Sequence, residues 1–371
     1  MDLKSGRLYT LLKDDEMQAL VDTDNVDYDD QLDHIISCDP GPYTYGTLGV
    51  IPPSPVDGQL YFRSTANTVL LRFQQSERIL PRSVIMDEVT KRAAKLLRQE
   101  DDERKQLSRK ELAQVKSEVV AELLPTTVIK RKSFPVLIRG KHVFIGAASA
   151  KVCEDVLNKL RYAFGSLAVV PFETEIPASE VMRRLLRGTL EQDELSDVEF
   201  RLGSRLKLDH AEGSQVAARN EDLLGEHVAG LLDDDYYPIE MSVHLYSEDD
   251  MVASLVLTKQ WAIKSFRPTV ESEFDPNADY GEDEDADWRA ALAQFDADVI
   301  LQADVLFSLV SSIVDVAGEM KRSEHSEREM TDRLDKAGNA RTLDKEGQRV
   351  DEELIAAQHA DGGAPDDFDD L

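Results

Sequence analysis

Three groups of residues have types and spacings that could do chemistry: the acidic pair Asp296 and Asp298, the dipeptide Lys141-His142, and the basic run Lys130-Arg131-Lys132. Paired carboxylates can hold divalent ions ~4 Å apart for phosphodiester hydrolysis, usually with a Lys or His nearby. On a helix, however, positions two apart point about 200° from one another, so Asp296 and Asp298 do not share a metal. Capping a helix that begins near Val299 is their expected role. His142, in a strand candidate, reads as a surface or interface side chain rather than a base. The seven histidines are scattered, with no HxH, no HExxH and no Gly-rich GxxxxGK loop. Neither enzymatic activity nor a cofactor or metal is expected. The basic run suits a different chemistry, the neutralisation of a phosphate backbone.

A basic contact surface must be reconciled with a chain of 371 residues and formal charge −30. That charge excludes an indiscriminate polycation. It is also unevenly spread. Residues 14–34, 271–287 and 351–371 carry 9, 9 and 8 acids and no Lys or Arg. Residues 91–141 reverse the sign, with fourteen bases against seven acids. Phosphates are contacted locally, so an acidic protein with one basic arm can still bind a polyanion; side chains that merely solvate an exposed helix pair would look the same. Two cysteines, Cys38 and Cys153, without metal-ligand spacing point to a reducing cytoplasm. No signal peptide is read at the N-terminus, and the apolar window Val299–Ala317 has the amphipathicity of a core helix rather than a membrane span.

The elements that must position these residues are legible in outline. Residues 1–85 alternate short β-like runs with Pro and Gly turns, giving a small antiparallel sheet with connecting helices. Residues 86–145 form a helical arm with a basic tip. Its two helices join near 101–103, and the second is announced by the capping box Ser108-Arg109-Lys110-Glu111 and the stripe Leu112, Val115, Val119, Leu123. Pro125 stops it. Val136–Ile138 and His142–Ile145 flank the turn Arg139-Gly140-Lys141 as a hairpin. Residues 146–318 form a second α+β part: a helix after Ser149, a strand at 167–170, a helix at 181–190, strands at 198–208, 239–245 and 251–258, the acidic insertion 271–287, and a helix at 288–317. Residues 319–371 read as a charged helix and a disordered acidic tail.

In this order, several stretches resemble the bacterial recombination-associated protein RdgC family. They are Glu77-Arg78-Ile79-Leu80-Pro81 with Val84-Ile85, Glu122-Leu123-Leu124-Pro125, Ala148-Ser149-Ala150-Lys151 with Glu154-Asp155, and Gly165-Ser166-Leu167 with Val169-Val170-Pro171. Gly49-Val50-Ile51-Pro52-Pro53 and Phe295-Asp296-Ala297-Asp298 with Ile300-Leu301 extend the likeness over roughly Leu8 to Gly318. The resemblance implies an α+β subunit, with antiparallel sheets and a protruding helical arm, of a ring-shaped homodimer. Such a ring encircles double-stranded DNA without sequence preference, binds single strands too, and modulates recombination and replication by limiting RecA access. Topological retention makes modest phosphate contacts sufficient. The leading contacts are Lys130, Arg131, Lys132, Arg139, Lys141 and Lys151, with Arg219 retained from a family basic pair near Arg219-Asn220. Val128 and Ile129 are placed at the dimer gate.

The chain departs from the family pattern at Thr126 and Val128, which stand where the family carries an Arg and a Phe, and at Tyr237-Pro238, where a further base falls. The acidic insertion and everything beyond Met320 exceed the family core and suggest an accessory version of phage or mobile-element type. The C-terminal Asp366-Asp367-Phe368-Asp369-Asp370-Leu371 is similar to the acidic, hydrophobic-ended tips of single-stranded-DNA-binding proteins, which dock into basic pockets on repair enzymes. It would recruit RecA or other host DNA-repair proteins, or fold back onto the basic arm. Two alternatives stay open: an exonuclease of the same family, and an acidic, DNA-mimic-like interaction factor. No membrane partner is expected, and the location implied is cytoplasmic, at the nucleoid.

Overall fold

The alternation of apolar and polar residues in the strand-forming stretches is realised as two antiparallel sheets in a computed structural model, so the expected α+β class holds. The structure describes residues 3–12, 28–54, 58–99, 107–164, 167–192, 196–220, 222–269 and 284–320. The larger sheet contains β1 (Arg7–Leu11), β2 (Gly46–Ile51), β3 (Tyr61–Arg63), β4 (Val69–Arg78), β5 (Ile129–Arg139), β6 (His142–Ile145) and β7 (Val169–Pro171). Its order is β2-β4-β5-β6-β1-β7, with β3 on β4. The smaller sheet contains β8 (Glu199–Asp209), β9 (Gln215–Arg219), β10 (Tyr237–Ser247), β11 (Asp250–Thr258) and β12 (Ile263–Pro268), in the order β12-β11-β10-β8-β9. β1 pairs with β6 and β7, so the N-terminal strand joins strands from much later in the chain instead of closing a sheet within residues 1–85.

The described residues form two compact units, one drawn from residues 3–35, 50–73 and 134–320 and the other from residues 36–49 and 74–133. In the second unit α2 (Arg82–Gln99) and α3 (Arg109–Leu123) pack through Ile85, Val89, Val115 and Val119. The capping box is present: Ser108 Oγ accepts from the Glu111 amide at 3.3 Å, and the Ser108 amide donates to Glu111 Oε2 at 2.7 Å. Of the anticipated stripe, Val115 and Val119 are buried while Leu112 is exposed. Arg92 bridges the two helices by an ion pair to Glu122.

In the first unit α1 (Asp29–Asp33) and α4 (Ala150–Phe164) accompany the larger sheet. Ser149 caps α4, its Oγ accepting from the Val152 amide at 3.5 Å. The smaller sheet buries one face under α5 (Ala178–Leu186), α6 (Glu226–Asp233) and α7 (Glu284–Ala317). α7 is long and apolar enough to cross a membrane by length and composition. Its buried residues Ala291, Phe295, Val299, Leu306, Val310, Ile313 and Ala317, however, recur at helical spacing within the core, as expected of a core helix.

Two expectations are corrected here. α7 runs from Glu284 to Ala317, so the helix expected at 288–317 is present and starts four residues earlier, in the last residues assigned to the acidic insertion, and not near Val299 as capping by Asp296 and Asp298 would need. Asp296 and Asp298 therefore lie inside the helix and cannot cap it; no Gly or Pro interrupts the stretch from Glu284 onward, and nothing forces a later start. The hairpin turn is as expected, with Gly140 in the left-handed region at φ +54°, but β5 extends back to Ile129, well beyond the anticipated Val136.

Candidate nucleic-acid interface

Lys130, Arg131, Lys132 and Ser133 are all exposed, whereas Phe134 to Ile138 on the same strand are buried. β5 thus runs from a wet, cationic beginning into core. Side chains alternate across a strand, so Lys130 and Lys132 stand on one face and Arg131 on the other. Arg131 is matched by Asp39, with Nε to Oδ1 at 3.0 Å and Nη2 to Oδ2 at 2.6 Å. The guanidinium holds the Asp39 carboxyl below the usual carboxylate range, and the carboxylate in turn raises Arg131. Among the described residues Lys130 and Lys132 have no acidic partner. Beside them Val128 is 74% exposed and Ile129 half-buried.

The platform under this cluster is fixed by Arg78, a role that charge and spacing alone did not reveal. Its guanidinium donates to the carbonyls of Pro40, Gly41, Leu124, Pro125 and Thr127 at 3.1–3.4 Å, and the Ile79 amide donates to Val128 O at 3.0 Å. The carbonyls freed where α3 ends at Pro125 are satisfied by a side chain instead of water. Arg78 lies in the Glu77–Pro81 stretch, whose sequence order was the available signal. Thr126 donates its hydroxyl to Leu123 O at 2.8 Å and closes the same turn.

The remaining predicted contacts belong to the first unit. Arg139 is committed internally: Nε donates to Thr68 Oγ1 at 2.7 Å, Nη2 lies 2.7 Å from Asp304 Oδ1, and the guanidinium sits 5.0 Å from the centroid of the Phe307 ring. Lys141 forms an ion pair with Glu319. Lys151, at the start of α4, and Arg219, at the end of β9, are exposed and have no ion pair among the described residues. The tail Asp366–Leu371, residues 271–283 and residues 14–27 lie outside the described residues.

The catalytic candidates are engaged otherwise. Asp296 accepts from the Thr65 amide at 3.2 Å and from Thr65 Oγ1 at 2.7 Å, while buried Asp298 accepts from Gln302 Nε2 at 2.8 Å. His142 is half-buried, its ring edge-on to Phe172 at 5.8 Å. Burial, reinforced by Lys141, pushes its pKa down to about 4, so it is neutral at physiological pH. Among the described residues no three His, Cys, Asp or Glu side chains gather as a metal site.

The fold and this surface together define an α+β protein with an exposed cationic cluster on an acidic chain. A family model described as "Putative exonuclease, RdgC" matches residues 11–320. The chain is 26% identical over 268 residues to the recombination-associated protein RdgC of Shewanella loihica, covering 72% of this chain and 83% of that protein. It is 27% identical over 277 residues to that of Shewanella sediminis, with the same coverage. For that of Psychromonas ingrahamii the identity is 24% over 276 residues, covering 73% and 85%. The chain belongs to the RdgC family.

Proposed function

We propose that this chain is a non-enzymatic, sequence-independent DNA-binding protein acting in recombination. Two copies would close around duplex DNA and limit access by the RecA recombinase, in the cytoplasm at the nucleoid. The observation that carries this reading is the family match over residues 11–320, a span that includes Lys130 and Lys132, which have no ion pair among the described residues, beside exposed Val128. Unpaired lysines release counterions from phosphate without first breaking an internal ion pair, and an exposed apolar residue at the same tip suits contact with a second copy. Lys151 and Arg219 are further cations without an ion pair among the described residues. Arg131, Arg139 and Lys141 would first have to leave Asp39, Asp304 and Glu319. Single strands, which offer the same phosphates, are a second substrate of this reading.

The test is a salt series of binding to duplex DNA, with and without magnesium, for the whole protein and for a Lys130→Ala/Arg131→Ala/Lys132→Ala variant. The reading expects binding that falls steeply with salt, a weaker variant and intact DNA. Magnesium-dependent loss of DNA ends would instead establish the exonuclease reading. A second reading is favoured by the concentration of acids in three segments: an interaction factor that engages repair proteins through its acidic tail. Removing residues 361–371 would then abolish partner capture while leaving DNA affinity unchanged.

A further inference from the structure

Arg205 on β8 and Arg219 on β9 are directly opposite one another in the antiparallel register, and both are exposed. Cross-strand neighbours on one face have Cβ atoms about 5 Å apart, and like charges placed so destabilise a sheet. On β8 the even positions Phe200, Leu202, Leu206 and Leu208 join the core, so the odd positions occupy the open face of the smaller sheet. The registers place Arg201, Arg205, Lys207, Arg219, Lys264 and Arg267 together on that face, against Glu199, Asp209 and Glu240.

The acids of this face are engaged. Glu199 pairs with Arg201 at 2.9 Å, and Asp209 accepts from the Tyr237 hydroxyl at 3.2 Å. Glu240 stands opposite Lys207 in the register but pairs with Lys264, at 2.6 Å. Arg205, Lys207, Arg219 and Arg267 are left without an ion pair among the described residues. The middle of the face is partly apolar. Val256, opposite Ser242, is half-buried there, as is Tyr246, whose ring centroid lies 4.0 Å from the Arg201 guanidinium. Cations around half-exposed apolar side chains suit a peptide in which acids flank an aromatic residue.

We infer that this face is the docking surface for the chain's own acidic stretch Asp366-Asp367-Phe368-Asp369-Asp370. Its carboxylates meet Arg205, Lys207, Arg219 and Arg267, and Phe368 meets Val256 and Tyr246. A carboxylate between Arg205 and Arg219 turns their repulsion into shared attraction. Charge complementarity selects this occupant, since residues 361–371 carry five acids and no base. So does reach. The described chain stops at Met320, and Asp366 follows 46 positions later. A chain of that length spans up to about 150 Å, whereas a compact body of about 250 residues has a radius of gyration of about 18 Å. Attachment to the same chain holds the acids at high effective concentration, so individually weak surface ion pairs suffice. The contact is independent of either reading of the protein's function.

The test is carbodiimide cross-linking of the full chain at low salt, with the Lys-to-carboxylate links located by mass spectrometry. Links from Lys207 to the acids at 366–370 are expected, and they should vanish at high salt. In Arg205→Ser/Arg219→Ser, with Lys207 intact as reporter, their yield should fall at least about 5-fold, the ratio expected when two exposed charge pairs are lost. Acetylation of Lys207 gives an independent reading: it should run about 5-fold faster when Asp366, Asp367, Asp369 and Asp370 are all changed to Asn, while Lys130 reacts at an unchanged rate. Links that fall mainly on Lys130, Lys132 or Lys151, or Lys207 reactivity indifferent to the four substitutions, would overturn the inference. So would links joining labelled to unlabelled sequence in an equal mixture of isotope-labelled and unlabelled chains, because the contact would then lie between copies.

Discussion

Arg131 and Asp39 form a two-point ion pair, so the middle residue of the basic run is balanced within its own unit while Lys130 and Lys132 are not. The alternation of a strand produces this division: consecutive residues face opposite ways, and among the described residues only Arg131 meets an acid. Lys130→Ala and Lys132→Ala should each lower the salt slope of duplex binding by about 0.9, the amount expected for one lost phosphate contact. Arg131→Ala should leave the slope nearly unchanged. Equal losses at all three positions would show that the ion pair opens on binding.

Arg78 should matter for stability instead of binding. Five carbonyl acceptors depend on its guanidinium, and removing a shared charged donor leaves partly buried acceptors unmet. Arg78→Ala is expected to cost about 2–3 kcal/mol in urea unfolding. Arg78→Lys should recover less than half of it, because an ammonium cannot reproduce the planar fork. A loss within the noise of the titration for Arg78→Ala would contradict the assigned role.

His142 sets a pH dependence. Its pKa falls from 6.5 to about 4 in the fold, chiefly through burial, so between those values the unfolded chain binds the proton and the folded chain does not. Stability is therefore full above about pH 6.5 and declines as pH drops toward 4, by up to about 3 kcal/mol. Over this window the urea midpoint of wild type should fall relative to that of His142→Phe as pH is lowered. Parallel curves would show that His142 does not titrate abnormally.

The two cysteines should react very differently. Cys38 is exposed, whereas Cys153 is fully buried on α4, and burial pushes its thiol up to about 11. At pH 7 the Cys153 thiolate fraction is then about 10⁻⁴ even before access is considered. A thiol reagent should modify one cysteine rapidly in the native protein and the second only on unfolding. Rapid modification of both, or a fast phase that persists in Cys38→Ser, would contradict this.

Much of the fold was legible because local patterns and tertiary packing agree. The capping box at Ser108, the turn at Gly140, the helix after Ser149 and the β10–β11 pair all follow from residues within one or two turns of each other. The family likeness was legible too, since it rests on the order of short stretches. What could not be read depends on register and distant partners. β5 begins at Ile129 because Lys130 to Ser133 extend a strand whose buried half starts only at Phe134, and three consecutive bases carry no alternation to announce it. The sequence does not announce the start of α7, because its first turns are acidic and lack an apolar stripe. That Arg131 meets Asp39, Arg139 meets Asp304 and Arg219 faces Arg205 is decided by chain crossings of 14 to 165 residues, which composition cannot supply.

Retention of DNA by encirclement is tested by comparing closed-circular with linear duplex under rising salt. A ring can slide from a linear end but not from a closed circle, so wild type should persist on circles at salt concentrations that release it from linear DNA of equal length. Val128→Asp, which places a charge on the exposed tip assigned to the contact between copies, should abolish that difference while preserving low-salt binding. Identical salt release from circular and linear DNA, or no binding to either at low salt, would contradict the account.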